Sequence, residues 1–284
     1  MATRPKTLTA AAVPVAVGSA CAARAGHFEP VTALAALAGA FFIQVGTNLT
    51  NDYYDFVKGA DDADRLGPKR VTQSGLIAPK VVLSAALISF ALAAVCGIHL
   101  IQVGGWPVLA IGVASVAAGY MYTGGPYPLA YHGLGDPFVF VFFGPVAVVG
   151  TYWVQVGRVD LLPVLASVPV GLLGTALLVV NNLRDIPTDT RAGKRTLAVK
   201  LGERFTRVQY AALLVISFVW PVLLAVLANS PAALVMWLAV PLALAPWRTV
   251  MGEKGAALNG ALAQTARLHA VSGALLTVGL WRLG

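Results

Sequence analysis

Two short polar stretches carry most of the chemistry that this chain of 284 residues offers. The first runs Asn48-Leu-Thr-Asn51-Asp52-Tyr-Tyr-Asp55-Phe-Val-Lys58-Gly-Ala-Asp61-Asp62-Ala-Asp64-Arg65. It packs five carboxylates into thirteen residues, out of only twelve Asp and Glu in the whole chain. The second runs Asn181-Asn182-Leu-Arg184-Asp185-Ile-Pro-Thr-Asp189-Thr-Arg191-Ala-Gly-Lys194-Arg195. Each leaves the end of an apolar run. If the helix of that run continues, Asp52 and Asp55 stand at i, i+3 and Asp185 and Asp189 at i, i+4, so each pair shares a face. Pro187 weighs against helix beyond Asp185. Clustered carboxylates repel one another, and a hard divalent cation relieves this. Mg²⁺ typically takes one or two carboxylates together with phosphate oxygens and water. Lys58, Arg65, Lys69 and Arg70 follow the first pair, and Arg184, Arg191, Lys194 and Arg195 flank the second. Such cations bind phosphate oxygens by charge-assisted hydrogen bonds. Two facing stretches of this kind suit a diphosphate bridged by Mg²⁺. For Asp62, Asp64 and Glu203, ordinary solvated loop charge is the better reading. For Asp52, Asp55, Asp185 and Asp189 it is not, because ionisable groups beside a membrane helix end are costly without a purpose.

The elements that must position these stretches are apolar. The chain is 58% hydrophobic and 11% charged, against about 25% charged in soluble domains. A spanning helix needs about 20 apolar residues, and nine candidate runs appear, at roughly 8–24, 31–50, 80–98, 106–122, 137–156, 161–182, 208–228, 232–247 and 262–281. The formal charge of +8 would suggest nucleic acid in a soluble protein. Here the placement of charge decides otherwise, and a lipid bilayer, not nucleic acid, is the expected partner. With the N-terminus in the cytoplasm, sixteen of the twenty Lys and Arg fall on the cytoplasmic side and three, Arg24, Arg158 and Arg282, on the other. This layout puts both acidic stretches on the cytoplasmic side, in long loops at roughly 51–79 and 183–207. The chain reads as a single domain, 1–284. Cys21 and Cys96 offer no disulfide framework or metal spacing, and His27, His99, His132 and His269 are scattered. Gly39, Gly112, Gly119, Gly171 and Gly174 are placed to let helices pack closely.

A set of motifs then carries a resemblance. It comprises Arg4-Pro-Lys-Thr7, Asn51-Asp-Tyr-Tyr-Asp55 with Lys58-Gly-Ala-Asp61, and Arg65-Leu-Gly-Pro68 leading to Gln73-Ser-Gly75. Further along come Tyr122-Thr-Gly-Gly-Pro126 with Pro128-Leu129, Gly133-Leu-Gly-Asp136, and Asn181-Asn-Leu-Arg-Asp185 through Gly193-Lys-Arg-Thr196 to Leu201-Gly202. In this order the sequence resembles the UbiA superfamily of intramembrane aromatic prenyltransferases. Within it, the chain is similar to the 1,4-dihydroxy-2-naphthoate polyprenyltransferases of menaquinone synthesis. The superfamily pattern is Asn-x-x-x-Asp-x-x-x-Asp. Asn51 and Asp55 fit it, the next slot is Gly59, and the acid arrives at Asp61. The dihydroxynaphthoate branch shares this longer spacing. The resemblance covers about residues 3–205, and the last third reads as generic apolar helix.

The resemblance implies an all-α membrane protein, a bundle of about nine transmembrane helices around a central cavity, in the bacterial cytoplasmic (inner) membrane. It implies transfer of a polyprenyl group from polyprenyl diphosphate to 1,4-dihydroxy-2-naphthoate, with Mg²⁺ as cofactor and loss of carbon dioxide and diphosphate. Asp52, Asp55, Asp185 and Asp189 are then the expected metal ligands, with Asp61, Asn48 and Asn51 in support. Lys58, Arg70, Lys194 and Arg195 are the expected diphosphate binders, and Arg184 either joins them or pairs with a neighbouring Asp. Tyr122, Tyr127 and Tyr131 either orient the aromatic acceptor and stabilise a cation by their π-electrons, or form an interfacial aromatic belt. Arg4, Lys6 and Arg70 are alternative partners for the acceptor's carboxylate. Asp136, just before Pro137, reads as a helix cap. Two rival readings stand beside this one: a prenyltransferase for homogentisate or 4-hydroxybenzoate, and an ion transporter. A transporter would place ionisable residues at mid-membrane depth, whereas these span centres are almost free of charge.

Overall fold

The computed structural model describes residues 5–60, 66–67 and 70–282. Among them the chain forms nine long helices and no strand. They are α1 (Pro5–Arg24), α2 (Pro30–Val57), α3 (Pro79–Gly104), α4 (Trp106–Met121), α5 (Gly135–Val156), α6 (Leu161–Arg191), α7 (Leu197–Leu227), α8 (Pro231–Gly252) and α9 (Leu258–Arg282). Each expected apolar run falls on one helix. By length and composition α2, α3, α5, α6, α7 and α8 are long and apolar enough to cross a membrane, while α1 and α4 are shorter apolar helices.

Local chemistry sets many of the ends. Proline occupies the first turn of α2, α3, α4 and α8, where its missing N–H would have had no helical partner. The Thr196 hydroxyl caps α7 by accepting from the Val199 backbone N–H at 3.2 Å. Interior prolines are accommodated. Pro145 lies in a single π-turn, Phe142–Val146, within α5. Pro169 cannot donate to the carbonyl of Leu165, and the Trp220 indole N–H takes that carbonyl instead, at 2.9 Å.

Three of the boundaries that differ from the expected ones bear on the polar stretches. α2 runs on to Val57, α6 runs to Arg191, and α7 already begins at Leu197. The expected loop at 183–207 is therefore mostly helix, with a connection of only 192–196. Pro187 sits inside α6 without ending it. The turns around it are held by Thr188 Oγ1 donating to the Asp185 carbonyl (3.0 Å) and Thr190 Oγ1 donating to the Ile186 carbonyl (2.7 Å). Burial of Leu183, Asp185, Thr188 and Asp189 adds tertiary support that one missing donor does not cancel.

α6 is the axis of the bundle. Val170, Leu173, Val179 and Val180 are buried against Val17 and Cys21 of α1, Tyr210 and Leu214 of α7, Met236 of α8 and Leu268 and Leu276 of α9. α5 crosses α6 closely at Gly144 and Gly171, where a methyl group added to either would stand 3.0 Å from the other's Cα. The expected small-residue contacts at Gly39, Gly119 and Gly174 are present, whereas Gly112 faces open space. The outer faces are apolar and exposed, as at Leu87, Ile88, Val95 and Ile98 of α3 and Val215, Val219 and Val226 of α7. Apolar surface of this extent fits a lipid environment rather than water.

The polar ends of the helices gather into two sets. At one end, Lys58 after α2 reaches Thr123 after α4, Arg207 of α7 reaches the Glu253 carbonyl after α8 (2.7 Å), and Lys254 pairs with Glu203 (2.8 Å). At the other end, Arg24, the last residue of α1, donates to Ser230 (3.1 Å) and to the Asn229 carbonyl (3.0 Å), and Phe28 packs edge-on against Trp281.

Candidate active site

The last turns of α2 and α6 meet at the first of these ends. Asp52, Asp55, Asp185 and Asp189 are all buried, none more than 8% exposed. Asp55 is the hub. Its Oδ2 accepts from Arg70 Nη2 at 2.9 Å, its Oδ1 accepts from the Tyr131 hydroxyl at 3.3 Å, and Lys194 Nζ stands 3.8 Å from the same oxygen. That ammonium also stands 3.9 Å from Asp189 Oδ1. Asp55 on α2 and Asp189 on α6 therefore face each other across a single positive charge. Asp52 Oδ1 accepts from the Thr72 backbone N–H at 3.3 Å, and Asn51 Oδ1 accepts from the Thr123 hydroxyl at 2.8 Å. Asn48 Oδ1 accepts from Gln44 Nε2, one turn below, at 3.5 Å.

Lys58 follows α2 directly. Its ammonium donates to the Thr123 carbonyl at 2.7 Å and lies 4.5 Å from the centre of the Tyr131 ring. Partial burial lowers its pKa from the usual lysine value, Asp55 opposes that shift, and nearby Lys194 adds to it. On α6, Arg184 is buried and takes the second of its two expected roles. It grips Asp185 with Nε (2.7 Å) and Nη2 (2.6 Å), and the same Nη2 donates to Asn181 Oδ1 at 2.8 Å. Arg195 is exposed. Its backbone N–H donates to the Tyr131 carbonyl at 3.2 Å and ties the 192–196 connection to the site. Asp61 and Arg4 lie outside the described residues.

Among the described residues no three His, Cys, Asp or Glu side chains come close enough to hold an ion by themselves. The donor set nevertheless fits a hard divalent cation that arrives on a diphosphate, since such an ion needs only one or two carboxylates from the protein. The oxygens come from two helices, and the Lys194 ammonium between Asp55 and Asp189 offsets part of their charge.

Beside this cluster lies an apolar cleft between α1, α2, α4 and α5, about 710 Å³ including the part that is open to the surroundings. Gln44, Thr47, Ser115 and Tyr122 are its polar lining, and Phe138, Phe142 and Phe143 form much of its apolar wall. Gln44 bonds to Asn48, and Asn48 stands one turn before Asp52, so Gln44 at the cavity lies about two helical turns from the acids. The three tyrosines separate in space. Tyr122 lines the cavity, Tyr131 joins the acid cluster, and Tyr127 is 51% exposed and stacks on His132. Asp136 is not a cap. Its carboxylate accepts from Asn182 (3.3 Å) and Gln209 (2.7 Å), linking α5 to α6 and α7.

Comparison with known proteins decides the family. The sequence profile of the UbiA prenyltransferase family matches residues 11–268. The chain belongs to the UbiA prenyltransferase family. It is 43% identical to a Mycobacterium tuberculosis protein named 1,4-dihydroxy-2-naphthoate octaprenyltransferase, over 89% of this chain and 85% of that one. It is 40% identical to the Escherichia coli protein of the same name, over 99% of this chain and 92% of that one. A mouse protein, UbiA prenyltransferase domain-containing protein 1, is 30% identical over 99% of this chain and 82% of its own. Among solved structures, the apo form of a UbiA homolog from Aeropyrum pernix K1 superposes with a TM-score of 0.67 at 18% identity, over 95% of this chain and 96% of that one. A UbiA homolog from Archaeoglobus fulgidus, solved bound to DMAPP and Mg²⁺, gives 0.64 at 16% identity, over 97% and 98%. The fold is that of UbiA proteins, and the chain is an integral membrane protein.

Several residues at this candidate site were not singled out by sequence reasoning. Thr123 sits within the Tyr122-Thr-Gly-Gly-Pro126 motif, so a signal for it existed. Gln44 carried a weaker one, as a lone amide in an apolar run four residues before Asn48. Thr72, which acts through its backbone, and Asn259, in the part read as generic apolar helix, carried none.

Proposed function

We propose that this UbiA-family chain transfers a polyprenyl group from polyprenyl diphosphate to 1,4-dihydroxy-2-naphthoate, giving demethylmenaquinol for menaquinone biosynthesis. The observation that carries the reading is the meeting of Asp55 and Asp189, from two different helices, around one cation beside an apolar cavity. The acceptor is supported by the names of the bacterial relatives. The chain acts as one domain over 1–284, with the acidic ends of α2 and α6 on the cytoplasmic side. The excess of Lys and Arg at that end supports the sidedness.

Asp52, Asp55, Asp185 and Asp189, with Asn48, Asn51 and Asp61 in support, would hold Mg²⁺. Bound there, the ion would neutralise charge on the leaving diphosphate. Arg70, Lys58 and Lys194 supply further positive charge where the allylic C–O bond breaks and its electron pair leaves with the diphosphate. The apolar cavity takes the prenyl tail and keeps water from the allylic carbon. Tyr122 presents its ring and hydroxyl where tail and aromatic acceptor meet. A new C–C bond to the naphthoate ring forms, and the carboxyl group leaves as carbon dioxide.

The test uses membranes holding the expressed protein, a polyprenyl diphosphate, 1,4-dihydroxy-2-naphthoate and Mg²⁺, with mass detection of the decarboxylated prenyl naphthoquinol. Product that disappears in both Asp52→Ala and Asp185→Ala is expected. Product only with homogentisate or 4-hydroxybenzoate would discard the acceptor, and no product with any acceptor from folded protein would discard the enzyme.

A further inference from the structure

We infer that Asn259, in the first turn of α9, is a positioning residue that joins the two acidic stretches of the site. Its Oδ1 accepts from Arg184 Nη1 at 2.8 Å, and its Nδ2 donates to the backbone carbonyl of Leu66 at 2.8 Å. Leu66 immediately follows the first acidic stretch in sequence, and Arg184 holds Asp185 of the second. The chemistry dictates the orientation of the amide. A guanidinium only donates and a carbonyl only accepts, so one rotamer of one amide satisfies both, and neither a carboxylate nor an apolar side chain can. The turn before α9 supports the same approach, with the Cβ position of Gly255 lying 4.0 Å from Leu66 Cδ1.

The consequence is functional as well as structural. The Arg184 guanidinium is 1% exposed, so its direction is set by the oxygens around it. Asp185 and Asn181, on its own helix, hold two sides of the fork, and Asn259 holds the third from another helix. Removing Asn259 leaves a buried N–H of a charged group without that acceptor and frees the chain at Leu66 from α9. Both losses fall next to residues that the proposed function assigns to the metal diphosphate, Asp185 in the grip of Arg184 and Asp61 five positions before Leu66 in sequence, and neither falls on the cavity or the acceptor. The inference rests on that reading of the site.

The experiment uses the purified full-length chain in lipid nanodiscs, with the Asn259→Leu and Asn259→Asp variants. The probe is inorganic diphosphate with Mg²⁺, titrated calorimetrically, and steady-state kinetics follow with both substrates. Asn259→Leu is expected to weaken Mg²⁺-diphosphate binding about tenfold and to raise KM for the prenyl diphosphate in step. KM for the naphthoate and kcat should change far less. Asn259→Asp keeps an acceptor for Arg184 but turns an oxygen toward the Leu66 carbonyl. It should therefore keep the wild-type melting temperature more nearly than Asn259→Leu does, while still weakening diphosphate binding. Diphosphate affinity equal to wild type in both variants would overturn the inference. So would an equal fall in every constant alongside a lower melting temperature, which marks a purely structural role. Wild-type chain that binds Mg²⁺-diphosphate but makes no prenyl naphthoquinol would sink the proposed reaction and leave the role of Asn259 measurable. Wild-type chain that binds no Mg²⁺-diphosphate would sink both.

Discussion

Asp55 shows how charge and stability are coupled at this site. It is buried and answers Arg70 directly and Lys194 at longer range, so it is both a candidate metal ligand and the counter-charge for two buried or half-buried cations. Replacing it by Asn should abolish prenyl transfer. It should also destabilise the protein by about 3–5 kcal/mol, the usual result of breaking a buried ion pair from one side. Thermal unfolding in detergent measures this, and a melting temperature equal to wild type would show that the Arg70 pair is not formed in solution. Tyr131 permits a finer test, because its hydroxyl and its ring do different things. Tyr131→Phe removes the bond to Asp55 and keeps the ring beneath Lys58. The expected loss is about 1 kcal/mol, roughly fivefold in kcat/KM. Tyr131→Leu removes the cation–π contact too and should lose about fivefold more. Equal activity of the two variants would show that the ring contributes nothing.

At the scale of elements, the site depends on helices that outlast the membrane span. α6 carries Asp185 and Asp189 because it continues through Pro187, and α2 carries Asp52 and Asp55 because it continues to Val57. α7 must then start close to the end of α6, and Thr196 makes that start by capping Val199. Thr196→Ala should cost about 1 kcal/mol of stability, seen as a lower melting temperature with the Mg²⁺ requirement unchanged. The crossing of α5 and α6 is held close by Gly144 and Gly171, and α5 contributes the phenylalanine wall of the cavity. Gly171→Leu should cost about 1–3 kcal/mol through overpacking. It should also reduce turnover of long prenyl diphosphates more than short ones, since it pushes the cavity wall away from its place. Turnover reduced equally for all chain lengths would place the cavity elsewhere.

At the scale of the whole molecule, the two sets of helix ends differ in chemistry. One holds Asp52, Asp55, Asp185 and Asp189 and most of the described cations, and the other holds Arg24, Arg158 and a few polar partners. A ligand that closes the first set against α9 and the 192–196 connection should stabilise the entire bundle. Prenyl diphosphate with Mg²⁺, at a hundred times its dissociation constant, should add about 2.7 kcal/mol. The same diphosphate with EDTA should add far less, and Mg²⁺ alone should add little because Arg70 and Lys194 together already offset Asp55 and Asp189. Strong stabilisation by the ion alone would instead favour the transporter reading.

Much of this was legible in the chain itself. Apolar runs of spanning length dictate helices, because nothing else satisfies the backbone away from water. Acidic pairs at helical spacing, placed after such runs and among cations, single out the two helix ends that the fold brings together. The placement of Lys and Arg puts both stretches at one end. What one-dimensional spacing could not carry was whatever depends on a partner distant in sequence. Pro187 argued for a helix end, and only burial of the turns around it reversed that. Tyr122, Tyr127 and Tyr131 looked alike in sequence, and packing sent them to the cavity, the surface and the acid cluster. Lys194 was expected to meet diphosphate, and the fold sets it between Asp55 and Asp189, which no local pattern links. Asn259 had no signal at all, because a single amide acquires meaning only when the fold brings a donor and an acceptor, 75 and 193 residues away, to its two ends.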